Sequence, residues 1–284
     1  MGRIATTQHD SPLGRWTRAF YLPDLPLADH AECFWYVSGR ANYMRDRRLP
    51  TGRTHLLFNL GTPPSLFGRE SRNTTRSFPT CWISGQQHSY IETGSHGDTV
   101  LLGAQFHSHG AFRLLRMAQH ELSDRVIELE CLLGDQILGL RQRLLEASSP
   151  RACFALLEAW LLDLLERGAE VHPAVLATSR AVALGPGQIE LKQLSRDLGF
   201  SREYLIRRFR EQVGLAPKAY ANILRFDHAL KIARSRTRTW AEIALDSGYY
   251  DQAHLVRDFQ RYAGRAPNSL LSDRMPDADS VVID

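Results

Sequence analysis

A chain of 284 residues, 43 % hydrophobic and 23 % charged, has the composition of a globular protein and the length of two ordinary domains. It contains no run of about 18 apolar residues that would span a bilayer, and residues 1–12 lack the basic and then apolar plan of a signal peptide. We therefore expect a cytoplasmic protein without a membrane partner.

The basic residues are concentrated near one end of the sequence. Residues 1–170 carry 18 Lys and Arg against 18 Asp and Glu, residues 171–268 carry 16 against 9, and residues 269–284 carry 1 against 4. A segment with a net charge of +7 attracts phosphate groups, so it is typical of a nucleic-acid-binding domain with salt-sensitive affinity.

The first part of the chain is dominated by short strand patterns. Strands are predicted at 33–37, 55–60, 81–84 and 100–106, within a strand region of 13–110 that is divided by Gly and Pro turns. Many short strands with this punctuation predict a β-sandwich or a β-barrel.

Helical patterns follow over residues 111–168. Helices are predicted at 111–117, 136–146 and 153–166, and the last of these is strongly apolar. Its apolar face would pack in a core or pair two protomers. Together with the strands, these helices complete a predicted N-terminal sensor or dimerisation domain over residues 1–170.

A repeated pattern organises residues 188–271. Each copy contains Leu-x-Arg-x-Phe, then a Gly five residues after the Phe, then a Pro three residues later. The first copy has its Phe at 209 and the second at 259, and the equivalent residues are Leu205 and Leu255, Gly214 and Gly264, and Pro217 and Pro267. A repeat of fixed period indicates a duplicated supersecondary unit, which we interpret as a helix-turn-helix.

Local signals support a helix-turn-helix in each copy. Gly199 and Gly248 each end a short apolar segment. Glycine is suited to this position because it adopts a left-handed backbone conformation at little cost. Ser201 and Asp251 then supply side-chain oxygens that cap a second helix. We expect an aromatic to pack under each turn (Phe200, Tyr249) and one face of each second helix to be buried (Leu205, Phe209 and Val213; Leu255, Phe259 and Ala263).

The opposite face of each second helix carries groups suited to reading DNA. An α-helix fits the major groove of B-DNA, where Arg recognises guanine and Gln recognises adenine. The candidate DNA-binding residues are Ser201, Arg202, Glu203, Ile206, Arg207 and Arg210 in the first copy, and Gln252, Ala253, His254, Val256, Arg257 and Gln260 in the second. The alternative, a solvated charged face on an ordinary helix pair, is disfavoured because the pattern occurs twice.

A long helix is predicted to connect the two copies. Pro217 suits a first helical turn, and apolar residues continue at helical spacing up to Ser235. A helix of about 18 residues is about 27 Å long, so it would hold two reading helices about one DNA turn apart.

The second copy resembles the signature of the AraC/XylS transcription regulators. The resemblance lies in the run Ile243-Ala244-x-x-x-Gly248-Tyr249-x-Asp251-Gln252-Ala253-His254-Leu255-x-Arg257-x-Phe259, followed by Gly264-x-x-Pro267. It implies a transcription factor in which both recognition helices face DNA, often behind a cupin-like domain that senses a small molecule. Ala266 and residues 269–271 depart from the family pattern, so the resemblance does not define the C-terminal boundary of the domain.

These observations predict an α+β protein with a β-rich, cupin-like N-terminal domain and an all-α domain with two helix-turn-helix units over residues 173–272. Residues 273–284 are expected to be a disordered acidic tail. The function predicted is a ligand-responsive, sequence-specific DNA-binding transcription regulator. Its expected partners are double-stranded DNA, RNA polymerase, a small-molecule effector and a second copy of the chain.

Aromatic and polar residues of the N-terminal domain are candidates for an effector pocket, because such pockets are mostly apolar with a few polar anchors. The candidate ligand-binding residues are Trp35, Arg53, Trp82, Gln86 and Gln105.

A metal site or an enzyme activity is the alternative for the N-terminal domain. His107 and His109 would share one face of a strand, with His88 and His96 nearby. The next acid is Glu121, which is not at the short spacing that such a metal site needs, so no metal is expected. No cofactor or catalytic residue is expected either. A DNA-repair protein would require a zinc-bound cysteine cluster, whereas the cysteines are widely spaced and are expected to be buried free thiols (Cys33, Cys81, Cys131, Cys153).

Overall fold

The computed structural model describes residues 2–67, 75–94, 97–185, 189–235, 237–272 and 275–283. A β-rich part is followed by a helical part, which confirms the predicted fold class. Each part has its own cluster of buried apolar side chains.

Twelve strands form two antiparallel sheets in the described ranges. The strands are β1 (Arg3–Ser11), β2 (Gly14–Leu22), β3 (Ala31–Ala41), β4 (Arg45–Arg48), β5 (Thr54–Asn59), β6 (Ser65–Phe67), β7 (Thr75–Ser77), β8 (Cys81–Ser84), β9 (Ile91–Gly94), β10 (Asp98–Phe106), β11 (Val126–Glu128) and β12 (Ser280–Val282). One sheet has the order β1-β2-β3-β10-β5-β8-β11, and the other has the order β12-β4-β9-β6-β7.

The predicted strands correspond to β3, β5, β8 and β10, with longer bounds for β3 and β10. In β10, Leu102, Ala104 and Phe106 are buried, because alternate residues of a strand face the same side of the sheet. The predicted strand region begins at residue 13, whereas β1 begins at Arg3. Most residues of β1 are exposed, so this strand lacks the apolar alternation that would reveal it.

Four helices complete the N-terminal domain, which we define as β1–β11 with α1 (Gly110–Leu115), α2 (Glu130–Leu133), α3 (Gln136–Glu146) and α4 (Pro150–Glu166). The side chain of Ser149 caps α4 by accepting a hydrogen bond from the amide of Ala152. One face of α4, which includes Phe154 and Leu161, is buried in the N-terminal core. That apolar face is therefore core within a single chain.

Helices α5 to α11 form the helical domain. They are α5 (Pro173–Leu184), α6 (Leu191–Asp197), α7 (Arg202–Val213), α8 (Pro217–Arg234), α9 (Trp240–Asp246), α10 (Gln252–Ala263) and α11 (Pro267–Ser272). The connecting helix α8 has 18 residues and begins at Pro217, as the sequence predicts. Phe209, Phe226 and Phe259 are completely buried in the core that these helices share. No helix among the described residues is both long enough and apolar enough to cross a membrane.

Two expectations about particular segments are wrong. Residues 280–282 of the expected disordered tail form β12, which pairs with β4 of the N-terminal domain, because Val281 and Val282 are apolar and become buried there. Cys131 is exposed, because α2, a helix of four residues, buries none of its side chains. Cys81 and Cys153 are buried and Cys33 is half-buried, and all four cysteines are free.

Candidate nucleic-acid interface

Each helix-turn-helix unit has the turn and the cap that its sequence predicts. Gly199 and Gly248 adopt φ angles of +71° and +73°, a left-handed conformation that glycine adopts at little cost. The hydroxyl of Ser201 accepts a hydrogen bond from the Tyr204 amide at 3.2 Å. The carboxylate of Asp251 accepts one from the His254 amide at 2.6 Å. The two caps therefore fix where α7 and α10 begin.

The predicted buried faces of α7 and α10 are confirmed. These faces comprise Leu205, Phe209 and Val213 in α7, and Leu255, Phe259 and Ala263 in α10. Because these residues recur at every fourth position, they lie on one side of each helix. The opposite sides of α7 and α10, which include Arg207 and Arg257, are exposed.

The aromatic residues after the two turns differ in their environment. Tyr249 is buried beneath the second turn, as expected. Phe200 is 37 % exposed, so the expectation for the first turn is wrong. Its ring stacks on the half-exposed ring of Tyr204, with centroids 5.0 Å apart, and contacts the edge of His172. Phe200 therefore belongs to a surface cluster of three rings and is not part of the core.

The candidate DNA-binding side chains lie on the solvent side of the two helices. The exposed ones are Ser201, Arg202, Glu203, Arg207 and Arg210 in the first unit, and Gln252, Ala253, Arg257 and Gln260 in the second. Three are half-buried, namely Ile206, His254 and Val256. The side chains have these exposures with the N-terminal domain present. That domain therefore does not cover Arg207 or Arg257.

His254 contacts a buried arginine, Arg225, which the sequence pattern does not indicate as part of the site. Arg225 of α8 donates from Nη2 to Asp258 at 2.9 Å and lies 3.2 Å from Nε2 of His254. Its guanidinium also lies over the ring of Tyr249, 4.4 Å from the centroid. This cluster joins the connecting helix to α10 and sets the orientation of His254. The one sequence signal for it is an arginine within the apolar face of α8.

The N-terminal domain contacts the C-terminal ends of both helices. Near α7, the hydroxyl of Ser123 donates to the carbonyl of Gly214 at 2.8 Å. Near α10, the hydroxyl of Ser89 donates to the carbonyl of Arg261 at 3.0 Å, and Nη1 of Arg47 donates to the carbonyl of Ala263 at 3.2 Å. The last carbonyls of a helix lack intrahelical partners, so these side chains satisfy groups that would otherwise need water.

Comparisons with known proteins identify a helix-turn-helix domain in the same part of the chain. Residues 194–272 match a family model described as a helix-turn-helix domain, and residues 19–128 match a domain of unknown function, DUF6597. The HTH-type transcriptional regulator MtrA of Neisseria gonorrhoeae is 34 % identical over 61 residues, which cover 22 % of this chain and 20 % of that protein. Residues 194–272 form an AraC-type helix-turn-helix domain.

Further relatives share parts of the chain. An uncharacterized HTH-type transcriptional regulator of Staphylococcus aureus (strain MSSA476) is 28 % identical over 86 residues, which cover 30 % of this chain. The chain spans only 12 % of the length of that relative. Among solved structures, ToxT from Vibrio cholerae has a TM-score of 0.47 and 11 % identity over 84 % of this chain and 98 % of that chain. The C-terminal domain of AraT from Geobacillus stearothermophilus has a TM-score of 0.36 and 22 % identity over 38 % of this chain and 92 % of that chain.

A cavity of about 490 Å³ lies mainly within the N-terminal domain and reaches α8 of the helical domain. Of the five candidate ligand-binding residues, Trp35, Arg53, Trp82 and Gln105 line it. Gln86 lies outside this lining, because its buried amide is directed toward the carbonyl of Ser108, 3.5 Å away. The sequence does not identify the other walls, which include Asp227 and Lys231 of α8 and residues 277–279.

Charged groups in the cavity wall are paired with one another. Arg53 forms a two-point ion pair with Glu32, and its Nη1 lies 3.7 Å from Asp227 of α8. The amide of Gln105 also donates to Glu32, at 2.9 Å. Burial alone would raise the pKa of Glu32, but the hydrogen bonds from Arg53 and Gln105 lower it below its ordinary value. Burial lowers the pKa of His55, which also lines the cavity, to about 4.

The histidines considered for a metal site have other partners. His107 and His109 both follow the end of β10, so they do not share a strand face, and each Nε2 lies 3.2 Å from a backbone carbonyl, of Ala28 and Asp29 respectively. His88 pairs with Asp124, and His96 lies outside the described residues. In the described part of the chain, no three His, Cys, Asp or Glu side chains are grouped as metal ligands.

Proposed function

We propose that this protein is a sequence-specific DNA-binding transcription regulator whose helices α7 and α10 enter two successive major grooves of one duplex. The observation that carries the proposal is the equivalence of Arg207 and Arg257. Each lies in a helix that begins at a side-chain cap, and each is exposed with the N-terminal domain in place. The net charge of +7 over residues 171–268 adds attraction to the phosphate backbone.

The length of α8 suits this arrangement. A helix of 18 residues is about 27 Å long, and successive major grooves on one side of a duplex are about 34 Å apart. Because α8 is continuous from Pro217 to Arg234, it fixes the separation of the two units more firmly than a loop would.

Individual side chains are assigned roles by their position. Arg207 and Arg257 read base edges, since arginine bonds guanine at two points in the major groove. Gln252 at the start of α10 is suited to adenine, and Arg210 near the end of α7 is suited to a phosphate. His254 contributes through the orientation that Arg225 imposes on it.

The cavity supports a response to a small molecule. Its volume falls in the range of roughly 300–1,000 Å³ that is usual for ligand pockets, and its wall includes both the N-terminal domain and α8. A small-molecule effector with an apolar body that binds there shifts the balance between two arrangements of the helical domain.

The same proposal places the protein in the cytoplasm as a homodimer that contacts RNA polymerase. It assigns no enzyme activity.

Footprinting on genomic fragments, beginning with the DNA that flanks the protein's own coding region, tests the proposal. We expect protection of two adjacent major grooves on one side of the duplex. In a gel-shift titration on the protected sequence, Arg257→Ala should weaken binding by about 1–3 kcal/mol, or roughly 5- to 150-fold. Arg143→Ala removes the same charge from an exposed position of α3 and serves as the control. If no fragment is protected, the proposed function is wrong.

A further inference from the structure

Residues 275–283, which we call the C-terminal segment, lie outside the two helix-turn-helix repeats and contact both domains. Residues 267–272 form the last helix of the helical domain, and the C-terminal segment then joins a sheet of the N-terminal domain. We propose that the C-terminal segment is an intramolecular clamp, which fastens the helical domain to the N-terminal domain and forms part of the cavity wall.

Backbone hydrogen bonds seat the clamp on the edge of the five-stranded sheet. Ser280, Val281 and Val282 of β12 pair with Arg48, Arg47 and Asp46 of β4. The pairing continues at both ends, where the Leu49 amide donates to the Asp279 carbonyl at 2.7 Å and the Ile283 amide donates to the Arg45 carbonyl at 3.2 Å. The segment thus occupies donors and acceptors of β4 that an edge strand would otherwise present to solvent.

Apolar anchors give the segment contacts with both domains. Val281 is completely buried in the cluster that forms the core of the helical domain, together with Leu49 of the N-terminal domain. Val282 is buried in a separate small cluster with Leu13 and Trp16. Burial of a valine side chain removes most of its apolar surface from water, so these two residues are substantial contacts for so short a strand.

Charged side chains direct the segment to this edge. Asp277 forms ion pairs with Arg18 and, at 3.1 Å, with Arg48. The hydroxyl of Ser280 donates to Asp46 at 2.6 Å, and Asp46 also lies 3.1 Å from Nε of Arg48. The acidic residues that make the end of the sequence resemble a disordered tail are therefore the groups that dock it on basic residues of β2 and β4.

The position of the clamp links it to both the cavity and α10. Asp277, Ala278 and Asp279 line the cavity together with Asp227 and Lys231 of α8. Arg47, which pairs with Val281 through the backbone, uses its side chain to hold the last carbonyl of α10 at Ala263. Loss of the clamp therefore loosens the contact between the N-terminal domain and the end of α10. Its regulatory consequence rests on the proposed function, but the clamping itself does not.

Hydrogen–deuterium exchange of the full chain tests the clamp. Val281→Asp places a charge in the buried anchor site, and a chain ending at Pro276 removes the strand altogether. In both variants we expect exchange to rise roughly tenfold or more at residues 45–49 and also at residues 89–90 and 260–264, which lie across the domain contact. Leu184→Asp places the same charge on a side chain that is 86 % exposed and should exchange as the wild type does.

The outcomes separate a clamp from a passive edge strand. If exchange rises at residues 45–49 alone, while residues 89–90 and 260–264 stay protected, the proposal is overturned. The truncated chain keeps the result interpretable if Val281→Asp fails to fold, because it introduces no buried charge. Absence of DNA binding by the wild-type protein would refute the proposed function and would leave the exchange result unchanged.

Discussion

Gly214 and Gly264 occupy equivalent positions at the ends of α7 and α10, and both lie against the N-terminal domain. A Cβ atom on Gly214 would meet Oγ of Ser123 at 2.9 Å and the carbonyl of Gln119 at 3.1 Å. A Cβ atom on Gly264 would meet the ring of Tyr90 at 2.6 Å and Nη1 of Arg47 at 2.8 Å. Both glycines also adopt positive φ angles. The repeated glycine thus ends a helix and permits close contact between the domains.

Replacement of these glycines by alanine should separate the two roles. Gly199 has a similar φ of +71°, but a Cβ atom on it would meet nothing within 4 Å, so Gly199→Ala should cost only the left-handed backbone penalty of about 1–2 kcal/mol. Gly214→Ala and Gly264→Ala should each lower the free energy of unfolding by about 1 kcal/mol more, since their neighbours must move. Urea denaturation measures the difference, and equal losses for all three variants would contradict close contact.

The local structure of the two repeats was predictable because its signals are local. Gly199 and Gly248 end a segment, Ser201 and Asp251 cap a helix, and the apolar face follows at helical spacing; each signal depends on a few adjacent residues. Phe200 departs from the expectation because whether a ring is enclosed depends on packing between helices. Its neighbours are Tyr204 and His172, which are separated in sequence by 32 residues.

The contacts between domains were not predictable because they join distant residues of ordinary composition. Arg47 and Ala263 are 216 residues apart, and nothing near either residue indicates the other. The C-terminal segment has acidic residues next to two valines, and its placement depends on the arginines of β2 and β4 and on the apolar clusters that receive the valines, all distant in the sequence. Gln86 does not line the cavity, because its side-chain amide is directed toward the carbonyl of Ser108, which is 22 residues away in the sequence.

Arg225 should be essential to the second helix-turn-helix unit. Arg225→Met would leave the carboxylate of Asp258 buried without its partner, and we expect a loss of about 3 kcal/mol in the free energy of unfolding. The double variant Arg225→Met with Asp258→Leu should recover most of that loss, because it removes both charges. Thermal and urea denaturation would measure both effects.

Arg208 provides the matched control for Arg225. It occupies the position in α7 that Asp258 occupies in α10, but it is half-exposed and pairs with Glu211 within its own helix. Arg208→Met should therefore cost less than about 1 kcal/mol. If Arg208→Met and Arg225→Met lower the free energy of unfolding by similar amounts, burial does not increase the contribution of the Arg225–Asp258 pair to stability.

Acid should destabilise the N-terminal domain through two half-buried histidines. Burial lowers the pKa of His55 and of His109 to about 4, whereas an unfolded histidine titrates near 6.5. Below pH 6.5 the unfolded state gains protons that the folded state does not bind, so stability is greatest above pH 6.5 and falls as the pH approaches 4. Each histidine should contribute a loss of about 2 kcal/mol between pH 7 and pH 5.

His55→Gln should reduce this pH dependence. The comparison requires urea midpoints at pH 7 and pH 5 for the variant and the wild type, with His120→Gln as the control because His120 is exposed. We expect the variant to lose less stability than the wild type over this interval and the control to match the wild type. A pH dependence that His55→Gln leaves unaltered would show that this side chain is protonated equally in the folded and unfolded states.

Base contacts and phosphate contacts by α7 and α10 should differ in their salt dependence. Arg257→Ala should weaken binding to the specific site by about 1–3 kcal/mol and reduce discrimination at one base pair, because the position of Arg257 suits a base edge. Arg210→Ala, near the end of α7, should weaken binding to all sequences alike and lower the slope of log K against log salt concentration by about 1. Gel-shift titrations at several salt concentrations on the specific site and on single-base variants would test both assignments. If Arg257→Ala lowers the salt slope and leaves base discrimination intact, Arg257 contacts phosphate and α10 reads the groove through other side chains.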